Sequence, residues 1–179
     1  MRSLFLFVLL VSFAPTVRAA DDENPWKNAK VGDWVEYKMT GTGFEGKTKM
    51  TIVAKDDKEL SYEVAATFTA NGIEMTAPVQ KLKIDLTKAY DQKSALNPQN
   101  NNTKLEIVGE GKEKLKVGDK EYDTKWTNYK STTTVNNFTV VTENKMWYAK
   151  DVPLSGLVRM DTTVGTTTSK LELTGTGHK

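Results

Sequence analysis

Leu60-Ser61-Tyr62-Glu63-Val64-Ala65-Ala66-Thr67-Phe68 places an apolar side chain at every second position. An extended chain turns alternate side chains to opposite faces, so this spacing makes one oily face, whereas a helix would scatter the same residues around its surface. The pattern continues on both sides. Upstream, Val35, Tyr37 and Met39 oppose Glu36 and Lys38, and Met50, Ile52 and Ala54 follow Gly46, before a turn at Asp56-Asp57-Lys58. Downstream, Asn71-Gly72 supplies the left-handed residues of a tight hairpin and leads into Ile73, Met75, Ala77 and Val79. Pro78 lacks an amide donor and predicts an edge or a bend.

Leu82, Ile84 and Leu86 keep the alternation. Lys88 to Leu96 reads as a short polar helix at most, and Asn97-Pro98-Gln99-Asn100-Asn101-Asn102 as a loop. Strand patterning resumes at Leu105 and Ile107, with a turn expected through Gly109-Glu110-Gly111, and continues at Leu115 and Val117 before Gly118-Asp119. Tyr122, Thr124 and Trp126 share a face, Asn136-Asn137 signals a second hairpin, and Val140, Thr142, Asn144, Met146 and Tyr148 return. The last hairpin pairs Leu157 to Val164 with Ser169 to Thr174 across Gly165. Roughly two dozen threonines suit a pleated surface. The expectation is an all-β single domain over residues 31–177, with about eight to ten antiparallel strands in meander order forming a curved sheet, half-barrel or barrel. Val31-Gly32-Asp33 recurs as Val117-Gly118-Asp119, each before an aromatic strand, and reads as turn chemistry repeated.

Ahead of this domain, Met1-Arg2-Ser3, the apolar run Leu4 to Phe13 and the small-residue exit ending Val17-Arg18-Ala19-Ala20 read as a signal peptide over residues 1–19, followed by a polar leader over 20–30. The apolar run falls short of the ~20 residues of a membrane-spanning helix, so a secreted or periplasmic protein without a membrane anchor is expected. There is no cysteine, hence neither a disulfide nor a lipid-attachment residue. Removal of residues 1–19 takes Arg2 and Arg18 away and leaves 23 basic against 23 acidic residues. Such a balance offers no global attraction to nucleic acid or anionic lipid.

Catalytic chemistry finds few candidates. The single histidine, His178, sits near the chain end, where a frayed strand would make a poor general base. One histidine and no cysteine cannot build a zinc or copper cluster, so no cofactor or metal is expected. Asp56 with Asp57 could act as paired carboxylates of a glycan hydrolase, but Asp at a turn is ordinarily solvated, and the chain is expected not to be an enzyme. Lys125-Trp126-Thr127-Asn128-Tyr129-Lys130 interleaves aromatics with lysines, yet on a strand Trp126 and Tyr129 face opposite ways and make no nucleic-acid stacking platform. Asn101 and Asn137 begin glycosylation sequons that read as chance matches in turn-rich sequence.

Binding is the remaining reading. The face carrying Val35, Tyr37, Ile52, Val64, Phe68 and Trp126 would line a cavity for a hydrophobic or amphipathic molecule. The alternative is a structural or protein-interaction component of the envelope, with a solid core and a working surface on the loops at residues 88–102 and 150–156. Trp147 and Tyr148 are adjacent and must face opposite ways, and with Pro153 and Gly156 they form a candidate turn site.

Trp147-Tyr148-Ala149-Lys150-Asp151-Val152-Pro153-Leu154-Ser155-Gly156-Leu157-Val158-Arg159-Met160 resembles the ending of uncharacterised exported bacterial β-proteins, and Gly32-Asp33-Trp34-Val35-Glu36-Tyr37 resembles their opening strand. More distantly, the chain is similar to envelope lipoprotein-carrier domains, whose curved antiparallel sheet wraps acyl chains. That likeness implies a half-barrel and an apolar ligand; without the helical lid of such carriers, the apolar faces must close on each other or hold a ligand between them.

Overall fold

The computed structural model describes residues 24–88, 103–135 and 138–179. Residues 1–23, where a signal peptide is expected, 89–102 with Asn101, and Asn136-Asn137, where a hairpin turn is expected, lie outside the described residues. A 3-10 turn, Pro25–Asn28, precedes ten antiparallel strands: β1 Asp33–Gly41, β2 Phe44–Lys55, β3 Glu59–Ala70, β4 Ile73–Thr76, β5 Gln80–Asp85, β6 Thr103–Val117, β7 Lys120–Val135, β8 Phe138–Tyr148, β9 Leu157–Val164 and β10 Thr167–His178. They form one sheet in the order β4-β3-β2-β1-β10-β9-β8-β7-β6, with β5 beside β4 on the outer edge of β3. The sheet does not close, but it curves: β6 and β10, with three strands between them in that order, approach within 8 Å between Cα atoms. All-β meander architecture, the edge position of Pro78 between β4 and β5, and the final hairpin match the sequence reading.

Alternation decides which face is buried. Val35, Tyr37 and Met39, Met50 and Ile52, Leu60 and Tyr62, Tyr129, Met146, Leu171 and Leu173 all join the core on the concave side. Their neighbours in sequence, such as Trp34, Lys49 and Lys145, lie on the convex side. Burying such side chains contributes about 1.5–3 kcal/mol each, which offsets the ordering of the strands.

Gly109-Glu110-Gly111 is not a turn: it runs through the middle of β6. The glycines are there because the indole of Trp126, on β7, lies flat over them; a Cβ on Gly111 would come within 2.8 Å of the Trp126 ring. The same arrangement recurs at the other end of the sheet, where Trp34 of β1 covers Gly175 and Gly177 of β10 through the same ring atoms. A lysine caps each indole, Lys49 over Trp34 and Lys145 over Trp126, both 4.1 Å from the ring. Even the bulges coincide. Thr174 is extra between Leu173 and Gly175, as Val108 is between Ile107 and Gly109. Val31-Gly32-Asp33 and Val117-Gly118-Asp119 each contain a left-handed glycine, at φ 95° and 59°, but fall outside this correspondence.

Candidate functional site

The ends of the half-barrel differ. At the lower end, where β1 starts and β10 finishes, the 3-10 turn inserts Trp26, which is fully buried against Tyr62 with ring centroids 5.2 Å apart. The sequence reading assigned this residue to a polar leader; a lone Trp among polar neighbours carries no periodicity. Asn24 caps the turn by accepting from the Trp26 amide, and Lys55 Nζ donates to the carbonyls of Lys27 and Ala29 at 2.6 and 2.7 Å. Leu86, Val117, Tyr122, Val152 and Leu154 complete the plug.

Among the described residues, none covers the upper end of the concave face. Pair registers place Leu105 and Ile107 of β6, Ser131 and Thr133 of β7, Phe138, Val140 and Thr142 of β8, and Thr162 and Val164 of β9 on that face. Phe138 is 78% exposed and Ile107 53%, with Val140 and Val164 also exposed. Across the mouth, Phe44 and Phe68 are half-buried and Ile73 and Met75 exposed. Hydroxyls are interleaved with these apolar side chains: Thr103 with Thr133 at 2.8 Å in the cross-strand row of Val140, and Thr162 donating to Asn144 Oδ1 at 2.8 Å in the row of Ile107.

The six residues predicted to line a cavity separate by depth. Val35, Tyr37 and Ile52 lie in solid core, and the Tyr37 hydroxyl donates to the Leu157 carbonyl at 3.1 Å. Burial pushes its pKa, and to about 12 that of Tyr62, above the ordinary phenol value. Val64 and Phe68 are half-buried toward the mouth. Trp126 is on the convex face, because β7 presents Tyr129 to the core instead. There it faces Trp147, with Lys145 between the two rings at 4.1 and 4.6 Å and Arg159 over Trp147 at 5.1 Å. Trp147 Nε1 donates to Glu113, and this bond, ahead of the Lys145 charge, lowers the Glu113 pKa.

Of the turn-site residues, Tyr148, Pro153 and Gly156 come together with Pro25, Asn28, Ala29 and Asp33 around a cleft of about 220 Å³ at the lower end, while Trp147 points away. Gly156 has φ 76°, and a Cβ there would lie 2.9 Å from the Ala149 carbonyl oxygen, so glycine is required. His178 is not frayed. Its Nδ1 lies 2.8 Å from Asp33 Oδ1, across a strand pair that continues to Lys179 N donating to Gly32 O. Asp56 accepts from the amides of Lys58 and Glu59, which lowers its pKa and makes it a turn cap with no proton to give near neutrality. Among the described residues no three His, Asp or Glu side chains gather closely enough to hold a metal, and no helix is long and apolar enough to cross a membrane.

No family model and no curated protein matches the chain. Two solved structures share its fold. One, from Bacteroides fragilis, is described as a "putative exported protein with YmcC-like fold"; it is 10% identical, with a TM-score of 0.52, over 83% of this chain and 97% of that one. The other, a "putative lipoprotein" from Parabacteroides distasonis, is 12% identical, with a TM-score of 0.57, over 87% of this chain and all of that one. At these identities the likeness is one of architecture alone: an open, curved antiparallel sheet.

Proposed function

We propose that the chain is an exported, noncatalytic binding module that holds an amphipathic molecule with a single apolar chain at the upper end of its concave face. The observation that carries this is the rim of Ile107, Phe138, Val140 and Val164, exposed on the face whose lower part is solid core. Several large apolar side chains exposed at one end of a single face are costly to leave in water and mark a site of contact. Threonine, serine and asparagine side chains interleaved with them would meet the polar part of the ligand, as in sites where a few polar groups fix orientation. One neighbour described as an exported protein, another described as a lipoprotein, and the signal-like residues 1–19 of this chain support an envelope setting.

Titration with a fluorescent fatty-acid probe tests the reading. Saturable enhancement is expected, weakened at least about tenfold by Phe138→Asp with Val140→Asp, since a buried charge opposes an apolar chain. No saturation, or binding indifferent to those changes, would remove the proposal. A second reading, a packed envelope scaffold working through its loops, draws on the 220 Å³ cleft beneath residues 148–156. It requires a protein crosslinked through Lys150 rather than a lipid at the rim.

A further inference from the structure

The repeated arrangement on the convex face belongs to a longer correspondence. Lys104-Leu105-Glu106-Ile107-Val108-Gly109-Glu110-Gly111 of β6 matches Lys170-Leu171-Glu172-Leu173-Thr174-Gly175-Thr176-Gly177 of β10. Trp126, Tyr129, Lys130 and Thr132 of β7 match Trp34, Tyr37, Lys38 and Thr40 of β1, and Lys145-Met146 of β8 matches Lys49-Met50 of β2. Pairing of Met50 with Val64 and of Met146 with Met160 then makes β9 the counterpart of β3. The sheet is thus two four-stranded units, β10-β1-β2-β3 and β6-β7-β8-β9, each strand running in the direction of its counterpart.

One position breaks the correspondence. β10 is paired on both sides, by β1 and β9, whereas β6 is paired by β7 alone among the described strands. Lysines and a bulge on an edge strand ordinarily serve to repel other strands. Here they cannot be explained that way, because β10 carries the same Lys-Leu-Glu and the same bulge in the middle of the sheet. Over residues 104–111 β6 has the sequence of an interior strand, and no described strand pairs its outer edge.

What fills the matching edge shows what β6 accepts. On β10, Lys170, Leu171 and Glu172 face Asp161, Met160 and Arg159 of β9. Both strands read basic, apolar, acidic from N to C, and antiparallel pairing sets each charge opposite its complement. Lys104-Leu105-Glu106 reads the same way and is therefore its own antiparallel complement. The chain's own β3 is not a substitute: the β9 register carried over to β3 sets Glu63 opposite Glu106, and the β3 edge already holds β4 and β5.

We infer that β6 is a homodimer interface, in which the β6 edges of two copies pair antiparallel about Leu105, so that Lys104 of each copy faces Glu106 of the other. Such a contact is isologous: one two-fold axis satisfies both edges and closes the assembly. Half-buried Leu105 and exposed Ile107 and Val108 add apolar surface beside the new main-chain hydrogen bonds.

Sedimentation velocity on the chain from Ala20 onward, across micromolar concentrations, should give a dimer. Glu106→Lys sets like charges opposite one another twice and should weaken association at least about tenfold; Lys104→Glu should do the same. The double exchange, Lys104→Glu with Glu106→Lys, restores the complement and should restore the dimer. Hydrogen exchange of the parent protein should show amides of residues 104–107 gaining protection as concentration rises, a readout that needs no variant. A monomer throughout, a dimer indifferent to Glu106→Lys, a double exchange that fails to rescue a folded protein, or β6 amides insensitive to concentration would each overturn the inference.

Discussion

The lower and upper ends of the half-barrel are built from the same strands and differ in what covers them. Below, the short Pro25–Asn28 turn drives Trp26 into the space between the strands, and Lys55 ties that turn down. Above, Phe138, Ile107 and Val140 reach into solvent with nothing described over them. Alternation along a strand makes an apolar face, but only chain from elsewhere converts that face into core. The lower end is where burial stabilises the molecule, and the upper end is where, on the proposed function, a ligand would sit.

Trp26→Ala should do the most damage. Removing a fully buried indole costs about 3–5 kcal/mol, readable in denaturant unfolding; an effect no larger than that of Phe138→Ala would erase the contrast between the ends. Trp26→Phe should recover much of the loss, because the indole N–H finds no acceptor in the plug. The convex face comes next. Gly177→Val and Gly111→Val each force a side chain to within 2.8 Å of an indole, which should destabilise by about 1–3 kcal/mol as overpacking does. Comparable losses at the two positions are expected from the matched geometry, with Tm lowered by about 2–4 °C per kcal/mol.

At the upper end the order reverses. Phe138→Ser should change stability by no more than about 0.5 kcal/mol, as ordinary surface substitutions do, while weakening the fatty-acid probe. Acid gives the smallest effect. The folded-state pKa of Glu113 is depressed by its bond to Trp147, so its contribution is present above the ordinary carboxylate value of 4.5 and lost as pH falls through the lower folded value. Glu113→Gln should flatten the pH dependence of unfolding in that window and leave neutral probe binding unchanged.

Strand identity was legible because a period of two survives in every strand. Position in depth was not: parity places Tyr37 and Phe68 on one face, yet Tyr37 is sealed by the lower plug while Phe68 reaches the mouth. Gly109-Glu110-Gly111 looked like a turn because the residue that requires its glycines, Trp126, is on the next strand. Trp126 itself was placed inside because a large aromatic ordinarily belongs to a core; Gly-x-Gly opposite a tryptophan is the signal that could have placed it outside. Phe138 stood in the sequence only as part of a sequon, and its exposure depends on where the sheet stops curving. Trp147 and Tyr148 had to diverge, and they do, one to the convex ladder and one to the lower cleft.

The placement of β10 between β1 and β9 has a kinetic consequence. Asp33 meets His178 across 145 residues, so the β1-β2-β3 hairpins can form early but the two halves of the sheet have no seam until the last strand arrives. Folding dominated by such distant pairing is slow. A chain that leaves the cell's interior as it emerges would cross in an unjoined state and acquire its seam only on the far side.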